Sequence, residues 1–244
     1  MDKRVVVFVA VGIVGSALGG CECRRSGAPV AGTPIATVAA APGTLAVTAR
    51  FDGTAPAPKK IRGDGSATCG NSLVDESLVV GPGGKLANVV VRVLGAPAPA
   101  APAEHARLLQ RGCAYRPHVL ALAAGQALDV VSADDTMHNI HVYRGDETLF
   151  NRAESPHAAF TREPGDLGGA GVLSFKCDIH PWMTGLVAIG DSPIAVTGSD
   201  GVATLAVPAG HWSVEAWQEK LGTRRADVDV VSGSAATLAF HFAP

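Results

Sequence analysis

The sequence has little charge, few aromatic residues and few segments with a helical period. Only 17% of its 244 residues are charged, 5% are aromatic, and the formal net charge is −2. No basic stripe is present, so the composition does not favour nucleic-acid binding. Gly (29 residues) and Pro (16 residues) are abundant, and most apolar segments are short. Together these features predict an all-β protein.

The sequence also lacks the short motifs of several large enzyme classes. It contains no Gly-rich phosphate loop, no His-Glu-x-x-His segment and no Gly-x-Ser-x-Gly elbow. Paired His-x-His segments, which multicopper oxidases need in number, do not occur. We therefore predict that the chain is not an enzyme.

The N-terminus carries an apolar run over residues 5–18, preceded by Asp2, Lys3 and Arg4. The run is too short for an ordinary membrane-spanning helix and is typical of an export signal over residues 1–20. The small residues before Cys21 resemble the lipobox of bacterial lipoproteins. We expect lipidation of Cys21, a membrane anchor, and a place in the periplasm or at the cell surface. A signal cleaved without lipid and an uncleaved anchor remain alternatives.

The remaining cysteines stand at positions 23, 69, 113 and 177. Exported proteins fold in an oxidising compartment, where spare thiols tend to pair. Cys69 and Cys113 both lie in segments typical of loops, and we expect a disulfide between them. Cys23 has no predicted role.

Composition divides the rest of the chain into a tether and three β-rich segments. Residues 21–42 are rich in Gly, Ala, Pro and Thr and indicate a flexible tether. Short strand patterns then follow over residues 43–97, 104–190 and 192–244, and a Pro- and Ala-rich spacer separates the first two segments.

The first and last β-rich segments resemble one domain family. Residues 45–53 resemble the start of a carboxypeptidase-regulatory-like (transthyretin-like) β-sandwich, and residues 197–217 resemble its end. One prediction is therefore a sandwich built from residues 43–97 and 192–244, with residues 104–190 inserted as a separate domain. Two tandem domains are the alternative.

Two short segments of the middle part carry metal-binding side chains. Residues 135–143 read Asp-Thr-Met-His-Asn-Ile-His-Val-Tyr, and residues 177–183 read Cys-Asp-Ile-His-Pro-Trp-Met. Strand alternation places His138 on the opposite face from Asn139 and His141. A His in a strand and a Cys at a strand end can then converge with the His and Met of the following loop.

The donor types indicate copper. Thiolate and thioether sulfur suit Cu(I), imidazole suits both oxidation states, and a His2Cys set with a weak axial Met serves electron transfer. Zinc accepts the same His2Cys donors, but copper has the higher affinity and the Met argues for copper. A degenerate site that has lost its metal, or half of a disulfide at Cys177, is the other interpretation.

Residues 104–190 resemble the cupredoxins, and the Cys-x2-His-x2-Met loop resembles that of the amicyanin-like members. The resemblance implies a Greek-key β-sandwich that binds one copper ion, Cu(II) or Cu(I), in a type 1 (blue) site. His138, Cys177 and His180 would be the equatorial ligands and Met183 the axial one. Asn139 would tie the two ligand loops together and donate toward the cysteine sulfur. Met137 departs from the family, which usually has Pro there.

The same resemblance implies a function. His180 would be the ligand nearest solvent, and Met137, Pro181 and Trp182 would form an apolar rim where redox partner proteins dock. We expect an exported, membrane-anchored carrier that shuttles single electrons. A copper-binding lipoprotein for copper handling or delivery is the alternative, and a non-redox scaffold module is another.

Overall fold

The computed structural model describes residues 41–244, and nearly all regular structure in that range is β-strand. The all-β prediction is confirmed. The expected signal peptide, Cys21, Cys23 and all but the last two residues of the tether lie outside the described residues. Within residues 41–244, no helix has the length and apolar character that a membrane crossing requires.

Eighteen strands and two short 3-10 turns follow one another within residues 41–244. The turns are Pro82–Gly84 and Pro164–Leu167. The strands are β1 (Gly43–Phe51), β2 (Lys60–Ile61), β3 (Leu73–Val74), β4 (Val90–Leu94), β5 (Ala106–Gln110), β6 (Tyr115–Arg116), β7 (Val119–Ala123), β8 (Leu128–Ser132), β9 (His138–Arg144), β10 (Glu147–Glu154), β11 (Ala159–Arg162), β12 (Gly171–Lys176), β13 (Thr184–Gly190), β14 (Ile194–Val196), β15 (Val202–Val207), β16 (Gly210–Gln218), β17 (Gly222–Val230) and β18 (Ala235–Phe242).

Strands from both ends of the described chain form one unit, which we call the outer sandwich. One of its sheets has the order β15-β1-β18, and the other has the order β14-β4-β16-β17. Inward side chains alternate along β1, so that Leu45, Val47 and Phe51 enter the shared core. Because β1 pairs with β15 and β18, and β4 with β14 and β16, strands from residues 43–94 and from residues 194–242 share these two sheets. Residues 104–190 are inserted between them.

The inserted segment forms a second unit, which we call the insert domain. Its sheets have the orders β10-β9-β12-β13-β7 and β11-β8-β5-β6. Side chains from both sheets fill a separate core that includes Leu108, Ile140 and Phe175. Strands β9 and β12 are neighbours and pair antiparallel, with Phe175 opposite Val142. This pairing brings the start of β9 and the end of β12 to the same end of the sheet.

A small apolar cluster joins the two units. Val90 of β4 packs with Val119 of β7 and Ala188 of β13, and Trp217 of β16 packs against them. The outer sandwich is therefore in direct apolar contact with the five-stranded sheet of the insert domain.

Residues 59–75 form a hairpin, which we call the cap. Strands β2 and β3 pair through Lys60 with Val74 and Ile61 with Leu73. The two arms come very close further along, because a Cβ added at Gly63 would lie 2.2 Å from the carbonyl oxygen of Gly70. Glycine at position 63 therefore lets the two backbones approach.

Candidate metal centre

The sheet pairing brings the two predicted ligand segments to one point. His138 is the first residue of β9, and Cys177 follows the last residue of β12. The loop after Cys177 turns back on itself: the backbone N–H of Met183 donates to the carbonyl of His180 at 2.8 Å, and that of Cys177 donates to the carbonyl of Met183 at 3.2 Å. The loop is thus a closed turn that presents its side chains toward β9.

Three of the predicted ligands converge through their donor atoms. Nδ1 of His138 lies 3.0 Å from Nδ1 of His180. Sγ of Cys177 lies 3.9 Å from the first nitrogen and 3.6 Å from the second. All three side chains are buried. Two imidazole nitrogens and one thiol that face each other in a buried pocket form a donor set that suits a borderline-soft transition metal.

A carboxylate fixes the orientation of the first imidazole. Oδ2 of Asp134 lies 2.9 Å from Nε2 of His138, and the carboxylate also accepts the backbone N–H groups of Gly112 and Cys113 at 2.6 and 2.9 Å. A proton held at Nε2 leaves a lone pair on Nδ1, the atom that faces His180. Metal-ligating histidines in proteins are typically oriented by such a partner.

The pKa values of the two imidazoles move in opposite directions. Burial lowers the pKa of His138, but hydrogen bonds to Cys177 and Asp134 outweigh burial, and the net pKa is raised. Burial and then the charge of His138 lower the pKa of His180. His180 is therefore held as the neutral imidazole that a metal requires.

The thiol of Cys177 is favoured as thiolate. Burial raises its pKa, but the hydrogen bond with His138 and those from the backbone N–H groups of Asn139, His180 and Ile179 outweigh burial, and the net pKa is lowered. The N–H of Asn139 lies 3.4 Å from Sγ. Because the thiolate is the form that binds metal, this environment prepares Cys177 as a ligand.

The side chain of Asn139 connects the two ligand segments. Its Oδ1 accepts the backbone N–H of Asp178 at 2.5 Å, and its Nδ2 donates to the Asp178 carboxylate at 2.9 Å. Nδ2 also lies 2.9 Å from Oδ1 of Asn151 on β10. Asn139 thus ties β9 to the Cys177 loop through its side chain. The group that donates to the sulfur is its backbone N–H, and the side-chain NH2 bonds elsewhere. The nearby His141 pairs with Asp178 at 3.0 Å, outside the converging donors.

The fourth predicted ligand is buried beside this set. Met183 is 1% exposed and packs in the same core cluster as Cys177. Its backbone bonds to Cys177 and His180 place the residue beside those two predicted ligands.

The cap covers the side of the centre that carries His180. Nε2 of His180 lies 3.9 Å from Oδ2 of Asp64, a cap residue. A disulfide joins Cys69 of the cap to Cys113 of the insert domain, and its sulfurs lie within 4.8 Å of a ring nitrogen of His180. His180 is the most exposed of the four predicted ligands, but at only 4%.

The three residues of the expected rim therefore differ in their exposure. Met137 is 52% exposed and Pro181 is exposed, whereas Trp182 is partly buried. The ring of Trp182 packs against His180, with the ring centroids 5.3 Å apart. Met137, Pro181 and Trp182 do not surround an exposed edge of the His180 ring, because the cap lies against that ring.

Two parts of this arrangement were missed by sequence reasoning. Asp134 stands four residues before His138, a spacing without a recognised pattern in a loop, and the Asp64 contact depends on the cap. The disulfide was expected, but nothing in the spacing of its cysteines indicated that it lies beside a predicted metal ligand.

Comparisons with known proteins give partial similarities. No protein-family model and no curated protein sequence matches the chain. Among solved structures, a purple cupredoxin from Nitrosopumilus maritimus aligns at 23% identity and a TM-score of 0.31, covering 35% of this chain and 99% of that one. A structure of the M98A mutant of amicyanin aligns at 17% identity and a TM-score of 0.31, and the alignment covers 41% of this chain and 98% of that one. A copper-containing nitrite reductase from Thermus scotoductus SA-01 aligns at 19% identity and a TM-score of 0.32, and the alignment covers 41% of this chain and 25% of that one. The case for a metal in this chain is therefore its own donor set.

Proposed function

We propose that the chain binds one copper ion through His138, Cys177, His180 and Met183 and carries single electrons. The observation that supports this most directly is the convergence of two imidazole nitrogens and one thiol sulfur within 3.0–3.9 Å of one another. When bound, copper supplies a one-electron couple. The protein residues bind and orient it.

The surrounding residues suit that role. Asp134 holds the His138 ring, and Asn139 holds the Cys177 loop against β9. The predicted ligands are 0–4% exposed, so bulk water is kept from the centre. Ligands held by such contacts rearrange little when an electron arrives or leaves, and contacts of this kind around a metal site tune its potential and rigidity.

A spectrum of the full chain loaded with Cu(II) tests the proposal. We expect intense visible absorption from the thiolate-to-copper bond and a paramagnetic resonance signal of a single copper, and both are lost in Cys177→Ser. Cys69 and Cys113 are joined in a disulfide, so Cys177 is the one free thiol in residues 41–244 and no other described thiolate can give this absorption. Copper bound without this absorption, or absorption that survives the substitution, contradicts the proposal.

The alternatives give different outcomes in the same preparation. Preference for Zn2+ over copper indicates a zinc site, since His2Cys donors also accept zinc. A colourless Cu(I) protein that passes its metal readily to an acceptor protein indicates copper handling. A protein whose associations persist after Cys177→Ser indicates a scaffold.

We further propose that the protein is exported, is anchored to a membrane through lipid on Cys21, and exchanges electrons with redox partner proteins near Met137, Pro181 and Trp182. The sequence of residues 1–21 supports export, and the exposure of Met137 and Pro181 supports contact with a partner. The transthyretin-like identity of the outer sandwich belongs to the same proposal, supported by the strand and turn patterns of residues 45–53 and 197–217. Labelling of the expressed chain with a fatty acid, compared with Cys21→Ala, tests the anchor.

A further inference from the structure

The buried centre raises the question of how an electron reaches it. The cap and its disulfide lie against His180, which is 4% exposed. A donor on this side therefore cannot touch the imidazole directly. A side chain that packs against His180 can provide the contact instead.

Trp182 is such a side chain. Its ring packs against His180 at a centroid distance of 5.3 Å, and the same residue lines a cleft of about 360 Å³. Among the described residues, the Nε1–H of Trp182 is buried and has no hydrogen-bond partner. The cleft is thus separated from a predicted ligand by one aromatic ring, and that ring retains an unused donor.

Three parts of the fold build this cleft. Trp182 contributes aromatic surface from the insert domain, Asp75 and Ser77 come from the end of the cap and the residues after it, and Lys220 comes from the turn between β16 and β17. Its volume lies within the range of small-molecule sites, and such sites occur preferentially where domains meet.

The wall of the cleft also holds an imidazole–carboxylate pair. Nε2 of His118 lies 2.5 Å from Oε1 of Glu219, and the side chain of His118 is 6% exposed. The pair joins the insert domain to the outer sandwich. An imidazole and a carboxylate in contact can take up a proton from a bound hydroxyl group and share it between them.

We propose that this cleft binds a small phenolic reductant of the hydroquinone class and passes one electron to the centre through Trp182 and His180. The O–H bond of the ligand breaks. Its proton moves to the His118–Glu219 pair, its electron moves to the oxidised centre, and the ligand leaves as a neutral radical. The electron-transfer step rests on the proposed function, because the copper centre is the electron acceptor. Binding of the ligand requires only the cleft.

Binding is tested on the full chain without metal, so that no reduction occurs. Hydroquinone is titrated while the indole N–H resonances are followed by NMR, and Trp182→Phe identifies the resonance of Trp182. We expect a saturable shift of that resonance. Ser77→Trp, which places a large ring in the cleft, should abolish the shift. Ser199→Trp, at an exposed turn of the outer sandwich, should retain it.

Electron transfer is tested on the Cu(II)-loaded chain by the decay of its visible absorption. The rate should saturate with hydroquinone concentration and fall on the order of a hundredfold in Glu219→Gln. Reduction by hexaammineruthenium(II), which gives no proton, should be equal in both proteins. A rate that rises linearly, or equal rates in Ser77→Trp and Ser199→Trp, overturns the inference and leaves the proposed function intact. Lack of thiolate-to-copper absorption overturns the proposed function instead, and the NMR titration still decides whether the cleft binds phenols.

Discussion

Asp134 and His138 are joined by a contact of 2.9 Å between Oδ2 and Nε2, which leaves Nδ1 of the same ring facing Nδ1 of His180 at 3.0 Å. One carboxylate thus determines which nitrogen of the imidazole is available to a metal. The same carboxylate accepts the backbone N–H of Cys113, so it also fixes the loop that holds the disulfide. The first ligand and the attachment of the cap therefore depend on one side chain.

Asp134→Ala should weaken copper binding because His138 loses the partner that orients its ring. We expect the affinity to fall about 10- to 100-fold, the usual cost of losing such a contact. Competition with a chelator of known affinity measures the change. Asp135→Ala is the matched control, since Asp135 is exposed and pairs with His157. Equal affinities in the two variants would show that Asp134 does not orient the ligand.

Replacing both disulfide cysteines with serine, Cys69→Ser with Cys113→Ser, should release the cap from the insert domain. The crosslink closes a segment with a sequence separation of 44, and its loss should cost up to about 4 kcal/mol in the free energy of unfolding. Urea unfolding measures this cost. Copper should also leave the variant faster in the presence of a chelator, because the cap shields His180. An unchanged rate of copper loss would show that the cap does not limit access.

Gly63→Ala should loosen the cap while the disulfide remains. The new Cβ would lie 2.2 Å from the carbonyl oxygen of Gly70, so the two arms of the hairpin must separate. We expect faster amide hydrogen exchange in residues 63–71, and about 1–3 kcal/mol of lost stability from overpacking. Gly165→Ala is the control, because its Cβ would meet no atom within 4 Å. Similar exchange in both variants would contradict the close approach.

Glu215→Gln should destabilise the outer sandwich at neutral pH. The carboxylate is bound by Arg225 at 2.7 and 3.0 Å and also by Arg92. Burial raises the pKa of Glu215, but the two arginines outweigh burial and the net pKa is lowered. We expect a loss of about 1.5–3 kcal/mol, typical of hydrogen bonds to charged groups.

The pH dependence of that effect follows from the lowered pKa. The stabilisation is fully present above the ordinary glutamate pKa of about 4.3 and is lost as the pH falls through the lower pKa of the folded state. Urea unfolding at pH 7 and pH 3 should therefore show the gap between wild type and Glu215→Gln shrinking in acid. Glu147→Gln, at an exposed position, should show no such gap. A gap that stays constant with pH would mean that the carboxylate charge does not stabilise the fold.

The sequence by itself determined the all-β class and the side chains that converge at the centre. Strand alternation around His138 and the short spacing from Cys177 to Met183 are local features, and local geometry predicts them well. The insertion of residues 104–190 was one of two sequence predictions. It depends on the pairing of β1 with β15 and β18, which joins residues more than 150 positions apart and which no local pattern predicts.

Only the tertiary structure decided what surrounds the centre. The cap reaches His180 because a disulfide and a glycine contact hold a distant hairpin in place, and the cleft beside Trp182 exists because His118 of the insert domain meets Glu219 of the outer sandwich. These contacts depend on how separate elements pack. The spacing of residues along the chain does not predict these contacts, because each residue taken alone could equally well occupy an ordinary surface position.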